Sequence, residues 1–587
     1  MLFGLSLPVL LMMSFGAVDI HRATTVKTRL QDALDAAALA AARSSAVSDA
    51  DIQRIGMAAL KANFSYPEAV LREGDTTFVL NADQVVIANA KVDVKAIVAH
   101  IVLPPYGEFF DEYIPVGSHS EVDRSSKNIE VALVLDTTGS MAGQRITDLI
   151  AAARDLVDLV VQDQQTPYYS KVALIPYSMA VNVGSSRASQ ARGSIQGPTA
   201  ITNITWYTGS TKSVSGATRA NPVVISATSH GFANGDRVAI WGAAGMTQLN
   251  GVAFTVTNAG SNSFSLQGVD GRNWGSYSGN GTVAKCARTD CAPTVTSNGH
   301  ALPNGSYVHI LNVGGMTQLN GVSFQVGNAT SNTFTLTTVG GRAYTSGGLA
   351  YCAWDGCEYH AYFNVFNQLQ TQRVSTCVTE RSGGNAFTDA SPSAASLGRN
   401  YPHSSNPCLG NPMVPLSSDR SSLKSSIGGL TASGSTGGHI GVAWGWYALS
   451  PSFNNLWPGS AAGEYRNADI LKAAVIMTDG EFNSGYCKGV ISADSTSGSG
   501  SATYHINCNA PNGHPFDQTL ALCRAMKTQG VIVYTVGFQV VNDPRAQSLV
   551  ANCATSPSHV YLPTSGADLR QAFQAIGREI TQLRISR

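Results

Sequence analysis

Residues 129–135, apolar except for Glu130, form a run rich in β-branched residues, closed by Asp136-Thr137-Thr138-Gly139-Ser140-Met141. A run of that length and type predicts a strand buried on both faces. Helical spacing begins near Gly143, places Ile146, Leu149, Ile150, Ala153, Leu156 and Val157 on one face, and runs to about Gln162. Residues 171–177 predict the next strand. Helical signals then stop until about residue 417. Beyond that point a loop rich in Gly, Ser and Thr (430–438) opens a helix that runs to about Leu449, ahead of Pro451. Residues 473–477 repeat the first pattern, a buried strand ending in Thr478-Asp479-Gly480-Glu481. A helix (520–529), a strand (531–538), a short helix (547–552), a strand (559–562) and a helix (566–583) complete the chain. Alternating strands and helices predict an α/β head on a parallel sheet, over 128–190 and 416–587.

The amino end reads differently. Residues 2–18 carry no charge before Asp19 and are mostly apolar, interrupted by Pro8. That is just long enough for a bilayer span, which needs about 17–25 residues. Val26, Leu30, Ala33, Leu34, Ala37 and Ala41 continue a helical spacing to about Arg43. Residues 1–45 therefore predict a membrane anchor with a continuing helix; a cleaved signal peptide and a buried helix are the alternatives. Residues 46–127 predict a small mixed spacer, with a helix at 52–63 and strands at 77–80, 84–87 and 92–98.

The gap inside the head holds a duplication. Gly245-Met246-Thr247-Gln248-Leu249-Asn250-Gly251-Val252 recurs 70 residues on, from Gly315 to Val322. His230, Asn234, Phe254 and Phe264 answer to His300, Asn304, Phe324 and Phe334. Alternating polarity with frequent Gly and Asn predicts two small all-β repeats, 220–286 and 290–358. A loop closed by a disulfide is predicted over 359–415. His230 and His300 read as packed or turn residues rather than ligands.

Composition narrows the function classes. Net charge is zero and only 13% of residues are charged, with no basic block, which argues against a nucleic-acid partner. The ten cysteines are Cys286, Cys291, Cys352, Cys357, Cys377, Cys408, Cys487, Cys508, Cys523 and Cys553. The spacing offers no C-x₂-C pair for zinc, so disulfides in an oxidising compartment, paired in sequence order, are predicted. Basic residues tell against that side of the membrane, because Arg22, Lys27, Arg29 and Arg43 follow the apolar run and nothing basic precedes it. A short basic arm ahead of Met1 would reconcile the two signals.

The candidate chemistry lies at the strand ends. Asp136, Thr138 and Ser140 alternate in one loop at the carboxyl end of a strand, where open α/β sheets bind ligands. Their oxygens suit a hard cation; an ordinary capped turn is the other reading. The stretch resembles the first loop of the metal-ion-dependent adhesion site of von Willebrand factor A domains. The loop with Thr436, five residues before Gly441, resembles that site's threonine loop, with Ser433 and Ser435 as neighbours that blur the choice. Thr478-Asp479-Gly480 resembles the loop of its second aspartate, with Glu481 nearby.

The resemblance implies a doubly wound, Rossmann-like von Willebrand factor A head holding Mg²⁺ (or Mn²⁺ or Ca²⁺). Asp136, Thr138, Ser140, Thr436 and Asp479 would hold the metal, directly or through water, and one coordination position would stay open for a protein partner's carboxylate. The amino end, with Leu30-Gln31-Asp32-Ala33-Leu34-Asp35-Ala36, and the tail from Phe573 to Ser586 resemble TadE/TadG-like Flp pilus-assembly proteins. The duplicated segment resembles the FCCH module of ubiquitin-activating enzymes. Together these imply a single-pass protein of the bacterial cytoplasmic membrane. Its bulk would be periplasmic or at the cell surface, serving pilus assembly or adhesion, with pilus-assembly components as candidate partners. An extracytoplasmic metal-dependent hydrolase and a cytosolic assembly factor are the competing functions. No H-E-x-x-H, G-x-S-x-G or phosphate-binding loop supports an enzyme.

Overall fold

The computed structural model describes residues 2–44, 46, 48–81, 85–97, 111–123 and 127–583, and the side chains of residues 2–12, 15 and 123 lie outside that description. The head is a six-stranded sheet built from β1 (Asn128–Asp136), β2 (Ser170–Tyr177), β3 (Val414–Ser417), β4 (Ile470–Thr478), β5 (Ile532–Gly537) and β6 (Val560–Tyr561). Their order is β3-β2-β1-β4-β5-β6. All neighbours run parallel except β3, an antiparallel edge strand. The chain leaves β1 for β2 on one side and later returns to β4 on the other. The carboxyl ends of β1 and β4 therefore flank the point where strand order reverses.

The period of two along β1 divides its side chains between two cores. Ile129, Val131, Leu133 and Leu135 pack against α1 (Gln144–Val160), α2 (Arg420–Gly428) and α6 (Gly566–Leu583). Ala132 and Val134 pack on the opposite face with α3 (Gly438–Leu449), α4 (Pro515–Thr528) and α5 (Pro544–Cys553). Helix α3 is buried all round, so it carries no polar face. Gly441 and Gly445 let it lie on the sheet, because a Cβ at either would strike Tyr177 or Val134.

The two β repeats form a seven-stranded sheet each. Both recruit strands from upstream of the duplication. Thr199–Ala200 and Asn203–Thr205 pair into the second repeat, and Tyr207–Ser213 and Gly216–Ala217 into the first. Residues 359–415 are less irregular than the sequence suggests. Tyr359–Phe363 and Leu369–Arg373 form a hairpin, and Cys377–Thr379 pairs with Gly398–Arg399 and with Val181–Asn182. A short helix, Ser185–Arg192, also falls where no helical spacing was legible. Five disulfides join cysteines in sequence order: 286–291, 352–357, 377–408, 487–508 and 523–553.

The first helix spans Leu2–Ala42. Its Val26, Leu30, Leu34, Ala37 and Ala41 are buried against the sheet of the spacer rather than standing free. The predicted strands at 84–87 and 92–98 are one strand, Val85–Lys95, paired along its whole length with Tyr113–Asp123. Among the described residues no helix is long and apolar enough to cross a membrane. The predicted span at 2–18 falls mainly on side chains outside the description, as does the end of the tail, from Arg584 to Ser586.

Candidate functional site

Asp136 is the last residue of β1 and is fully buried. Its Oδ1 accepts the Thr138 backbone N–H at 3.0 Å and the Thr138 hydroxyl at 2.7 Å. Its Oδ2 accepts from the Tyr177 hydroxyl at 2.9 Å and the Thr478 hydroxyl at 3.0 Å. Gly139–Met141 makes a short 3₁₀ turn, and Gly143, with φ +80°, opens α1. That turn aims Ser140 at β4, where its hydroxyl donates to Asp479 Oδ1 at 2.7 Å.

Backbone bonds lace in the other two loops. Gly139 N–H donates to the Gly434 carbonyl at 2.9 Å, and Ser433 N–H to the Thr137 carbonyl at 2.9 Å. Thr436 N–H donates to Asn483 Oδ1 at 3.1 Å, and Asn483 N–H returns to the Thr436 carbonyl at 3.0 Å. The three strand-end loops therefore meet. Their side chains meet less completely. Asp136, Thr138, Ser140 and Asp479 form one chain of contacts, while among the described residues no hydrogen bond joins the Thr436 hydroxyl to them. Ser435 is otherwise engaged. Asn406 donates to its hydroxyl at 2.7 Å and accepts its backbone N–H at 3.0 Å.

The chain of contacts is short of a proton. Thr138 Oγ1 and Ser140 Oγ lie 2.8 Å apart, so three contacts link four oxygens. Two hydroxyls supply two protons. With both carboxylates ionised and each accepting one, the two hydroxyl oxygens would face each other with lone pairs only. A proton on a carboxyl or a cation beside the hydroxyls removes the conflict. Burial, and then the Asp479 charge, push the Asp136 carboxyl up to about 6. Burial also raises the Tyr177 phenol, with the Asp136 charge adding to it. This all-oxygen donor set fits a hard divalent cation. Among the described residues no group of three His, Cys, Asp or Glu gathers to hold a metal, so hydroxyls would have to complete the shell.

Arg145 escaped the sequence reading. Its guanidinium reaches Asp479 Oδ2 at 2.9 Å, and the Asp479 side chain is 1% exposed. A basic residue in the first turn of the helix after the loop was the available signal. Glu481 lies outside the contact chain, with the Arg545 guanidinium at 3.7 Å.

Among curated proteins, none matches the chain. Among solved structures, the chain is similar to the vWF domain of the type V pili tip protein Mfa5 from Porphyromonas gingivalis. The identity is 9%, the match covers 79% of this chain and 97% of that one, and the TM-score is 0.29. The pilus adhesin SpaC from Lactobacillus rhamnosus GG matches at 10% identity, over 88% and 35% of the two chains, with a TM-score of 0.27. A von Willebrand factor type A structure from Catenulispora acidiphila matches at 9%, over 88% and 52%, with a TM-score of 0.24. Residues 222–286 and 292–353 each match the ubiquitin-activating enzyme E1 FCCH domain. At its amino end, over residues 1–44, the chain matches the family described as "Putative Flp pilus-assembly TadE/G-like".

Proposed function

We propose that this chain is an extracytoplasmic protein whose doubly wound, von Willebrand factor A-type head binds a carboxylate of a protein partner. The binding serves Flp/Tad-type pilus assembly or cell-surface adhesion, with the TadE/G-like amino end at the membrane. Binding rather than catalysis is the role. One observation carries the reading: two carboxylates and two hydroxyls stand in line at a strand-order reversal with one proton too few. Asp136, Thr138, Ser140 and Asp479, with Thr436 beside them, would hold Mg²⁺, Mn²⁺ or Ca²⁺. Bound there, the ion would supply the electrophilic attraction for the partner's carboxylate. Tyr177, Thr478 and the Thr138 backbone fix Asp136, and Arg145 holds one oxygen of Asp479. The TadE/G-like match and five disulfides support a location in an oxidising compartment beyond the cytoplasm.

Thermal melts of the head with and without Mg²⁺ test the reading. At about a hundred times its Kd, a ligand specific for the folded state adds ~2.7 kcal/mol of stability. Asp136→Ala should remove that gain. Ser140→Ala, at an exposed position, should remove most of it without disturbing the core. An undiminished Mg²⁺ gain in both variants would refute the assignment.

A further inference from the structure

Among the described residues, Asp479 is the one member of the contact chain that carries an ion pair. Arg145 Nη1 donates to its Oδ2 at 2.9 Å and to the Ser140 carbonyl at 3.4 Å. Arg145 stands in the first turn of α1, so the 3₁₀ turn that aims Ser140 also sets the guanidinium. The two ends of the pair differ in access. The Asp479 side chain is 1% exposed, and that of Arg145 is 37% exposed. Among the described residues Arg145 Nε and Nη2 make no hydrogen bond. The outer edge of the guanidinium is therefore open to an arriving anion.

A guanidinium does not lose its proton in a protein, so this charge is fixed. Two ionised carboxylates against one guanidinium carry one net negative charge. Glu481 is matched by Arg545 at 3.7 Å and leaves that balance unchanged. A divalent ion would reverse the sign to one net positive charge, and one carboxylate would cancel it. With a neutral side chain at 145, the same ion would merely neutralise Asp136 and Asp479. The guanidinium therefore acts in opposite directions on the two ligands. It repels the metal and attracts the carboxylate that follows.

We infer that Arg145 selects for an anionic partner by keeping the metal-loaded site net positive, at some loss of metal affinity. The inference rests on the proposed function for the metal and for the partner's carboxylate. A residue that merely props Asp479 would act otherwise, because its removal would weaken both ligands together.

The test measures two affinities on the full chain. Mn²⁺ is followed by the EPR signal of the free ion, and acetate by the relaxation that bound Mn²⁺ induces in its methyl protons. Arg145→Gln keeps a side-chain donor for Asp479 and removes the charge. It should bind Mn²⁺ about fivefold tighter and, once loaded, bind acetate about fivefold more weakly. Acetamide, neutral and of similar shape, should not tell the two proteins apart. Arg145→Lys keeps the charge and should stay within about twofold of the parent chain for both ions. Any pattern but opposite shifts in Arg145→Gln overturns the inference, whether both affinities fall or either one stays put. An equal loss for acetamide, or Arg145→Lys behaving as Arg145→Gln does, overturns it too. A parent chain that binds no Mn²⁺ would refute the metal reading itself and this inference with it, so the two failures are told apart by the parent chain alone.

Discussion

The two β repeats share a framework and differ where each meets a neighbour. In the first, His230 Nδ1 accepts the Phe232 N–H at 3.0 Å and Nε2 lies 3.2 Å from the Ser263 carbonyl. In the second, His300 does the same with Leu302 at 3.0 Å and Thr333 at 3.3 Å. Asn250 bonds both the N–H and the carbonyl of Ala243, at 2.8 and 2.9 Å, and Asn320 bonds those of Val313 at the same distances. The contrast lies in one cross-strand pair. Ala239 faces Ala253 in the first repeat, and His309 faces Ser323 in the second. The alanines pack into a cluster centred on the second repeat. His309 stacks on Tyr359 at 4.3 Å and Ser323 contacts Thr371 at 2.8 Å, both on the hairpin that follows. Residues that serve their own backbone persist in both copies, and residues that serve a neighbour follow the neighbour.

The largest effect should come from removing the joint between the copies. Trp206 sits between Asn203–Thr205, which belongs to the second sheet, and Tyr207–Ser213, which belongs to the first. It is 1% exposed, its ring meets Trp241 at 5.3 Å, and its indole N–H donates to the Arg342 carbonyl at 2.9 Å. Trp206→Ala should cost about 3–5 kcal/mol in urea denaturation and split one transition into two. A single, unshifted transition would show that the copies are coupled by something else. A smaller and symmetric loss is expected at the shared asparagines. Asn250→Ala and Asn320→Ala each orphan an amide and a carbonyl, at about 1–3 kcal/mol. Unequal losses would show that one copy leans on its surroundings even here.

The same division explains what the sequence could tell. The helix Gly566–Leu583 and the strand Asn128–Asp136 were legible to within a residue or two because their periodicity is local. The loops carrying Asp136, Thr138, Ser140 and Asp479 were legible because each ends a buried strand. Arg145 was not, since its partner Asp479 lies 334 residues away. The engagement of Ser435 by Asn406 was hidden likewise, 29 residues upstream in the disulfide-closed loop predicted over 359–415. The pairing of Asn203–Thr205 into the second repeat skips over the whole of the first. No window of neighbouring residues contains any of these partners.

The smallest effect should separate the copies by pH. Burial pushes the His309 imidazole down to about 4, from an ordinary value of 6.5. The unfolded chain takes up this proton near 6.5 and the folded one only near 4. Between those values the unfolded state binds more protons, so stability falls as pH falls and levels off below about 4. The first repeat has Ala239 at that place and gains no such term. Hydrogen exchange, corrected for intrinsic rate, should therefore lose protection over Tyr307–Leu311 as pH drops from 7 to 4.5, while Arg237–Trp241 holds. His360, on the adjoining hairpin, is pushed down to about 4 mainly by its own burial. His309→Ala should accordingly shrink the dependence without abolishing it. Equal loss of protection in both copies would mean that the acid response belongs to the shared framework rather than to the face where they differ.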